Sequence, residues 1–302
     1  MIHPSFRLAH ASVNSLFCIA KLTAPHPNGR IIARSIITNI DTKNPPAVAE
    51  FVCDKYKALF PRARLGNLKR LFEDTTNLFT GKHPDFMANN LKYHDYEHTL
   101  QAKVCLMHLL EGRHLAKTAP RFNARQFELA IASALLQDSG YQKNRSDTEG
   151  SGAKYTFIHV LRSCSYAASY LPSIAGNESE ITGVLHAIRC TSPISEVATI
   201  PFQTEVERVA GFALSSADYL AQMTAANYSD EVDFLYHEFK ESYDFFNTPT
   251  DKRLFLCADA LKKATLFFWD RFVLPRLERE YQGVYHFLER PYPGGTNLYV
   301  KA

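Results

Sequence analysis

The sequence predicts an all-α protein, a single-domain helical bundle of about eight to ten helices. From Ala47 onward, apolar residues recur with the 3.6-residue period of an α-helix. The alternation of apolar and polar residues that marks strands is almost absent after residue 45. Hydrophobic residues make up 46% of the 302 residues and charged residues 22%, which is typical of a globular protein and excludes a disordered or fibrous chain.

The helical pattern is interrupted by residues that end helices. Pro45 and Pro46 precede the first segment, Gly81 follows the second, Gly112 the third and Gly140 the fourth. Asn123 is placed to cap the fourth helix. A polar, glycine-containing segment at 142–154 is predicted to be a mobile loop. The predicted helices run over about residues 47–60, 65–79, 94–110, 124–137, 155–170, 178–189, 203–223, 230–246 and 251–281.

Residues 1–45 differ from the rest of the chain. They contain no acidic residue before Asp41, a composition that targeting peptides share. No apolar region with a small-residue cleavage site follows, so the pattern favours an N-terminal arm, with a short strand over 30–40. Residues 46–302 are predicted to form the helical domain, with a motif core at 93–219 and C-terminal helices at 230–281. The aromatic residues of those last helices indicate core or a subunit interface, and their exposure would favour a homodimer.

Charge and cysteine usage limit the partners and the compartment. The excess of Lys and Arg over Asp and Glu is only +3, so no nucleic-acid partner is expected. No uncharged apolar run reaches the length of about 18 residues that crosses a bilayer, so no membrane partner is expected either. The six cysteines are scattered and form no CxxC motif. This pattern is typical of reduced, buried thiols in a cytoplasmic protein.

Polar residues with metal-binding chemistry recur on successive predicted helices. His94 and His98 are four residues apart, which places them on one face of a helix. Asp138 follows a run of buried aliphatic residues, where a carboxylate needs a cation or hydrogen-bond donors. The series consists of His94, His98, Gln137, Asp138, His159, His186 and Asp218. Imidazoles and carboxylates that converge from several helices form metal sites in helical bundles, although His159 or His186 alone would be an ordinary core histidine.

This ordered series resembles the HD-domain superfamily of metal-dependent phosphohydrolases, which are all-α proteins with a His, a later His-Asp pair and a final Asp. Tyr93-His94-Asp95-Tyr96-Glu97-His98 is similar to the Tyr-His-Asn-x-x-His signature of the cyclic nucleotide phosphodiesterase branch. The resemblance covers the motif core 93–219 and implies a fold of the HD-domain/phosphodiesterase type.

The resemblance also implies roles for individual residues. His98, Asp138 and Asp218 match the ligands of the first metal ion, and Asp138 matches the residue that bridges both ions in two-metal members. His94 matches the histidine that protonates the leaving oxygen. His159 and His186 match the ligands of a second ion. The implied cofactor is one or two divalent ions, among Mg, Mn, Zn and Fe.

Gln137 departs from the family pattern, because it stands where the His of the His-Asp pair is expected. An amide is a poorer ligand for these metals than an imidazole. The leading hypothesis is a metal-dependent phosphohydrolase that cleaves a phosphomonoester or phosphodiester, with a nucleotide or cyclic nucleotide as the expected substrate. Lys154, Arg162 and Arg189 are candidates to hold the phosphate, or else ordinary surface charges. The alternatives are a di-iron oxygenase of the HD type and a catalytically weakened relative that binds a ligand.

Overall fold

The computed structural model describes residues 40–223 and 228–301, and this part of the chain is mostly helical, as predicted. Residues 1–39, which contain most of the predicted arm and its strand-like segment, lie outside the described residues. The α-helices are α1 (Pro45–Leu59), α2 (Gly66–Phe79), α3 (Tyr96–Leu115), α4 (Ala124–Leu136), α5 (His159–Tyr170), α6 (Glu178–Cys190), α7 (Glu205–Met223), α8 (Tyr228–Phe245), α9 (Ala258–Thr265) and α10 (Leu298–Lys301).

Short elements connect the helices. One antiparallel pair of two-residue strands, β1 (Glu289–Arg290) and β2 (Thr296–Asn297), lies near the C-terminus. The 3₁₀ turns are Ser139–Tyr141, Gly152–Tyr155, Leu171–Ile174, Val197–Thr199, Thr250–Lys252 and Val284–Leu288, and the π turns are Trp269–Val273 and Arg276–Glu280. No helix in 40–223 or 228–301 is long and apolar enough to cross a membrane.

Helix α3 lies at the centre of the bundle, where it packs against α7, α4 and α1. Its aliphatic residues Leu106 and Leu109 are fully buried. Burial of such side chains drives folding, at roughly 1.5–3 kcal/mol for each one. Because α3, α4 and α7 pack on one another, polar residues near the ends of these helices come together next to an apolar core.

Several helix boundaries differ from the sequence prediction: α3 continues through Gly112 to Leu115, and the helix predicted from 155 begins at His159. Helix α3 begins at Tyr96, because the Asp95 side chain accepts a hydrogen bond from the backbone N–H of His98 at 2.8 Å and caps the helix. His94 therefore precedes the helix instead of sharing its face with His98. The helix predicted over 251–281 is interrupted, because α9 covers only Ala258–Thr265 and a turn at 266–267 follows it. The chain then continues as two π turns on either side of Pro275.

The polar segment predicted to be a mobile loop is held by side chains. Glu241 of α8 accepts hydrogen bonds from the backbone N–H and the hydroxyl of Ser151, at 2.5 and 2.6 Å. The Lys143 ammonium donates to the carbonyl oxygen of Gly150 at 2.5 Å. These hydrogen bonds join the segment to itself and to α8, whereas the sequence predicted a mobile loop.

The cysteines agree with the prediction of reduced, buried thiols. Cys53, Cys105, Cys164 and Cys190 are buried and free, and Cys257 is free and exposed. The sixth, at position 18, lies outside the described residues.

Candidate metal centre

Three side chains from separate parts of the bundle meet at one point. His98 comes from the first turn of α3, Asp138 follows the C-terminal end of α4, and Asp218 comes from the last turns of α7. Each contributes one ligand atom, and these atoms all lie within 4.8 Å of one another. His98 and Asp138 are 7% and 5% exposed, so the group is largely shielded from water. The sequence predicted that these three residues would converge on one centre, and in the structure they do.

The donor atoms fit a divalent cation. The Nε2 atom of His98 is 3.8 Å from an oxygen of Asp218, and two ligands on a tetrahedral zinc ion are about 3.4 Å apart. This pair needs to close by a few tenths of an ångström to reach that spacing, and the whole group, within 4.8 Å, by somewhat more than 1 Å. One imidazole and two carboxylates are ligands that Zn, Fe and Mn share. The centre can therefore hold a metal ion.

Two glutamine side-chain amides form hydrogen bonds with the candidate ligand atoms. Gln137 Nε2 donates to Asp218 Oδ1 at 2.7 Å, and the amide nitrogen of Gln222 lies 2.9 Å from Nε2 of His98. Gln137 Oε1 is buried and has no hydrogen-bond partner. Rotation of this amide by half a turn would present Oε1 to an ion, and an amide oxygen is a weak metal ligand. Gln137 therefore fits either a metal-free centre or a weakly held ion.

Burial sets the proton affinity of the group. Burial, followed by the charge of His94, lowers the pKa of His98 to about 3, so its imidazole is neutral and able to bind a metal. Burial and the neighbouring Asp138 raise the pKa of Asp218 to about 7. Burial alone would raise the pKa of Asp138, but the basic side chains around it, His98 and His94 first, hold the pKa below its usual value.

A buried ion pair lies beside this group. The Nδ1 atom of His94 is 2.5 Å from Oε2 of Glu238 in α8, and the backbone N–H groups of Tyr93 and His94 donate to the other oxygen of Glu238. Burial lowers the pKa of His94, but the charge of Glu238 and the hydrogen bond to it raise the pKa above its usual value. The rings of His94 and His98 are 5.4 Å apart. An imidazole with raised proton affinity is thus held next to the candidate metal centre.

A cluster of three rings forms one wall of the site. The ring centroid of Tyr141 is 4.5 Å from that of His94 and 4.4 Å from that of His159, and the two imidazoles are 6.0 Å apart. The close approach of the segment after Asp138 to α5 requires Gly140, since a Cβ atom there would lie 2.0 Å from the carbonyl oxygen of His159. His159 donates from Nδ1 to the carbonyl oxygen of Thr156 at 2.7 Å, and burial lowers its pKa to about 4. His159 is therefore near the centre but is not one of the three converging ligands.

The structure places His186 away from the centre. Its ring packs against Phe202, and the charged groups that act on it are Glu207 and Arg189. This part of α6 packs against the first half of α7, where Gly183 faces Glu207 and Gly211 faces Ala187, whereas Asp218 lies near the end of α7. His186 is not in the group of His98, Asp138 and Asp218, so the expected role as a metal ligand is not supported by its position. The 3.6-residue period showed that His186 faces inward, but it could not show which inward-facing residues meet.

The expected phosphate-binding residues have other partners. Lys154 is buried and donates to Asp147 and to the carbonyl oxygen of Glu149, at 2.5 and 2.6 Å. Arg162 donates to the carbonyl oxygens of Gly140 and Gln142, at 2.7 and 2.8 Å. Both cations hold the segment after Asp138 in place. Arg189 is exposed near the C-terminal end of α6. The phosphate role expected for these three residues is thus not supported by their contacts.

Three residues of the site were not found from the sequence. Glu238 lies 144 residues after His94, and nothing in its local sequence distinguishes it from a surface glutamate. Gln222 lies one turn after Asp218, and Lys103 lies one turn after Thr99, which donates to Asp138 at 3.2 Å. A lysine inside the apolar run of α3 was the one available signal, because a buried lysine needs a compensating acidic group.

Comparisons with known protein families, with curated proteins and with solved structures give no match for this chain.

Proposed function

We propose that this protein is a metal-dependent phosphohydrolase of the HD-domain type, acting on a phosphomonoester or phosphodiester such as a nucleotide or cyclic nucleotide. The observation that supports this proposal is the convergence of His98, Asp138 and Asp218 from three separate helical elements. A bound divalent ion would neutralise charge on the phosphoryl oxygens and activate water. The His and carboxylate ligands are the residue types on which the resemblance to this superfamily rests.

The residues around the centre have the chemistry to assist ester cleavage. His94 holds a proton, because Glu238 accepts from its Nδ1 atom and raises its pKa. Its Nε2 atom, 3.4 Å from the hydroxyl of Tyr141, is the position from which a proton would pass to the leaving oxygen. Burial of His98 and Asp138 excludes bulk water, which strengthens the electrostatic interactions at the centre.

A second candidate function is that of a relative that binds a ligand without hydrolysing it. This candidate is favoured by the Gln137 amide, which donates to Asp218 in place of a metal ligand. The di-iron oxygenase has less support, because His186, which the resemblance assigns to a second ion, lies elsewhere.

The test begins with the metal content of protein purified without chelator, measured by inductively coupled plasma mass spectrometry. Hydrolysis of p-nitrophenyl phosphate, bis-p-nitrophenyl phosphate, nucleotides and cyclic nucleotides is then measured with added Mn, Mg, Co, Ni, Zn or Fe. We expect Asp218→Asn to lose bound metal and hydrolysis together. Asp251→Asn, which removes an exposed carboxylate, is the matched control and should keep both.

The outcomes separate the candidates. Bound metal with hydrolysis supports the phosphohydrolase. Neither metal nor hydrolysis, combined with nucleotide binding by calorimetry, supports the non-catalytic relative. An iron pair with a coupled electron paramagnetic resonance signal supports the oxygenase.

A further inference from the structure

A cleft of about 210 Å³ lies at the C-terminal end of α3, whereas His98 lies in the first turn of this helix. The floor of the cleft is formed by the buried side chains of Leu110, Arg113, Phe122 and Phe127. An α-helix rises 1.5 Å per residue, so about 22 Å of α3 separate this floor from His98. The cleft is therefore distinct from the candidate metal centre.

The guanidinium of Arg113 is held in the floor of the cleft, where the residue is only 4% exposed. Its Nη1 atom donates to the carbonyl oxygen of Pro120 at 2.6 Å. Its Cζ atom is 5.4 Å from the ring centroid of Phe122 and 5.8 Å from that of Phe287. A guanidinium has five N–H donors, and the bond to Pro120 uses one of them. Arg113 is thus preorganised to bind a carboxylate or a phosphate.

Basic side chains surround the buried guanidinium. The lining of the cleft also includes His114, Lys117 and Arg121, and it contains no acidic residue. The acidic group that acts on the guanidinium is Glu205. Cations are common at the C-terminal end of a helix, because its last carbonyl groups carry about half a negative charge. That half charge and Glu205 leave the three permanent cations of the lining with an excess of about +1.5, which a bound anion would offset.

The size and the apolar floor of the cleft limit the ligand. An apolar cavity of about 150 Å³ holds a benzene molecule. The cleft, with about 210 Å³, has room for one such ring and a single anionic group. It is smaller than the roughly 300–1,000 Å³ of pockets that hold drug-sized ligands. The geometry therefore favours a small anion with an apolar body.

We propose that this cleft binds a small organic anion, with its carboxylate or phosphate against Arg113 and its apolar body against Leu110, Phe122 and Phe127. The proposal goes beyond the proposed function, because the cleft contains no residue of the candidate metal centre. Its test therefore needs neither a metal ion nor a turnover assay.

The experiment measures binding to the full chain by isothermal titration calorimetry in the presence of EDTA, so that no metal ion can hold the probes elsewhere. The probes are benzoate and phenyl phosphate. Benzyl alcohol, which has the ring without the charge, and acetate, which has the charge without the ring, serve for comparison. The variant is Lys117→Gln combined with Arg121→Gln, because both side chains are exposed at the rim and their replacement leaves the floor intact. Arg279→Gln is the matched control, since it removes an exposed guanidinium outside the lining. Circular dichroism confirms that each variant is folded.

We expect benzoate or phenyl phosphate to bind once per chain with a Kd below about 1 mM, and benzyl alcohol and acetate to bind at least about tenfold more weakly. The tighter of the two anionic probes identifies the preferred anionic group. The double variant should lose about tenfold in affinity, and Arg279→Gln should bind as the wild type does. No saturable binding of either anion, equal affinity for benzyl alcohol or acetate, or unchanged affinity in the folded double variant would overturn the proposal. None of these results would bear on the metal centre, because EDTA is present throughout.

Discussion

Replacement of Glu238 by glutamine tests the buried pair that holds a proton on His94. The side chains of His94 and Glu238 are 12% and 6% exposed, so water screens this interaction weakly. Glutamine keeps an oxygen that can accept from the backbone N–H groups of Tyr93 and His94. The change therefore removes mainly the charge-assisted hydrogen bond to Nδ1, which contributes about 1.5–3 kcal/mol.

The sign of the pH dependence follows from the raised pKa of His94. Burial alone would lower this pKa, but the pair with Glu238 raises it above the usual 6.5. The stability that comes from the raised pKa is fully present below pH 6.5 and is lost as the pH rises through the pKa of the folded protein. We expect Glu238→Gln to lower the free energy of unfolding by about 2 kcal/mol at pH 6, and by less at pH 9.

Urea denaturation of both proteins at several pH values measures this difference. Glu278→Gln is the control, because Glu278 lies 3.4 Å from His286 in a pair whose side chains are more than 40% exposed. Its effect should stay within about 0.5 kcal/mol at every pH. A difference for Glu238→Gln that is constant with pH, or no larger than that of the control, would refute the reasoning.

Four further outcomes are expected. Gln137→His should tighten metal binding by about tenfold or more in chelator competition, because an imidazole replaces an amide donor, and weaker binding would contradict the placement of Gln137 at the centre. His186→Leu should leave the metal content unchanged, and a loss of metal would contradict its position against Phe202. Glu241→Ala should speed hydrogen exchange in 144–152 and lower the free energy of unfolding by about 2–3 kcal/mol, because both hydrogen bonds from Ser151 are lost. Unchanged exchange would show that other contacts hold the segment. Leu106→Ala should cost about 2–5 kcal/mol in denaturant unfolding, since it leaves a cavity in the α3 core.

The sequence correctly predicted features that depend on residues within one helical turn, such as helix caps. Asn123 caps α4 with its side chain, as its position before the apolar period predicted. The long final helix was predicted wrongly, because the structure starts α9 only at Ala258 and interrupts the helix after Thr265. The hydrogen bonds from the segment 142–154 to α8 could not be predicted, since their acceptor, Glu241, is about 90 positions away from Ser151.

The sequence likewise predicted some residues of the candidate site and not others. Residue type and order indicated His98, Asp138 and Asp218, because each is a polar residue in an apolar helical setting. The order of residues along the chain could not show that His159 and His186 lie outside the group of His98, Asp138 and Asp218. Both histidines occur in apolar helical segments, as the members of that group do. The three cations expected to hold phosphate were chosen by proximity in sequence, and in the structure Lys154 and Arg162 instead hold neighbouring backbone and carboxylate groups.

The sequence by itself determined the helical class of this protein and the residue types of a metal site, because periodicity and the cost of burying polar groups act within a few turns. The tertiary structure alone decided which of those residues meet. Glu238 reaches His94, and Asp218 reaches His98, only after α3, α7 and α8 have packed. Charge compensation in a buried site depends on distances between helices, and such distances leave no pattern in the local sequence.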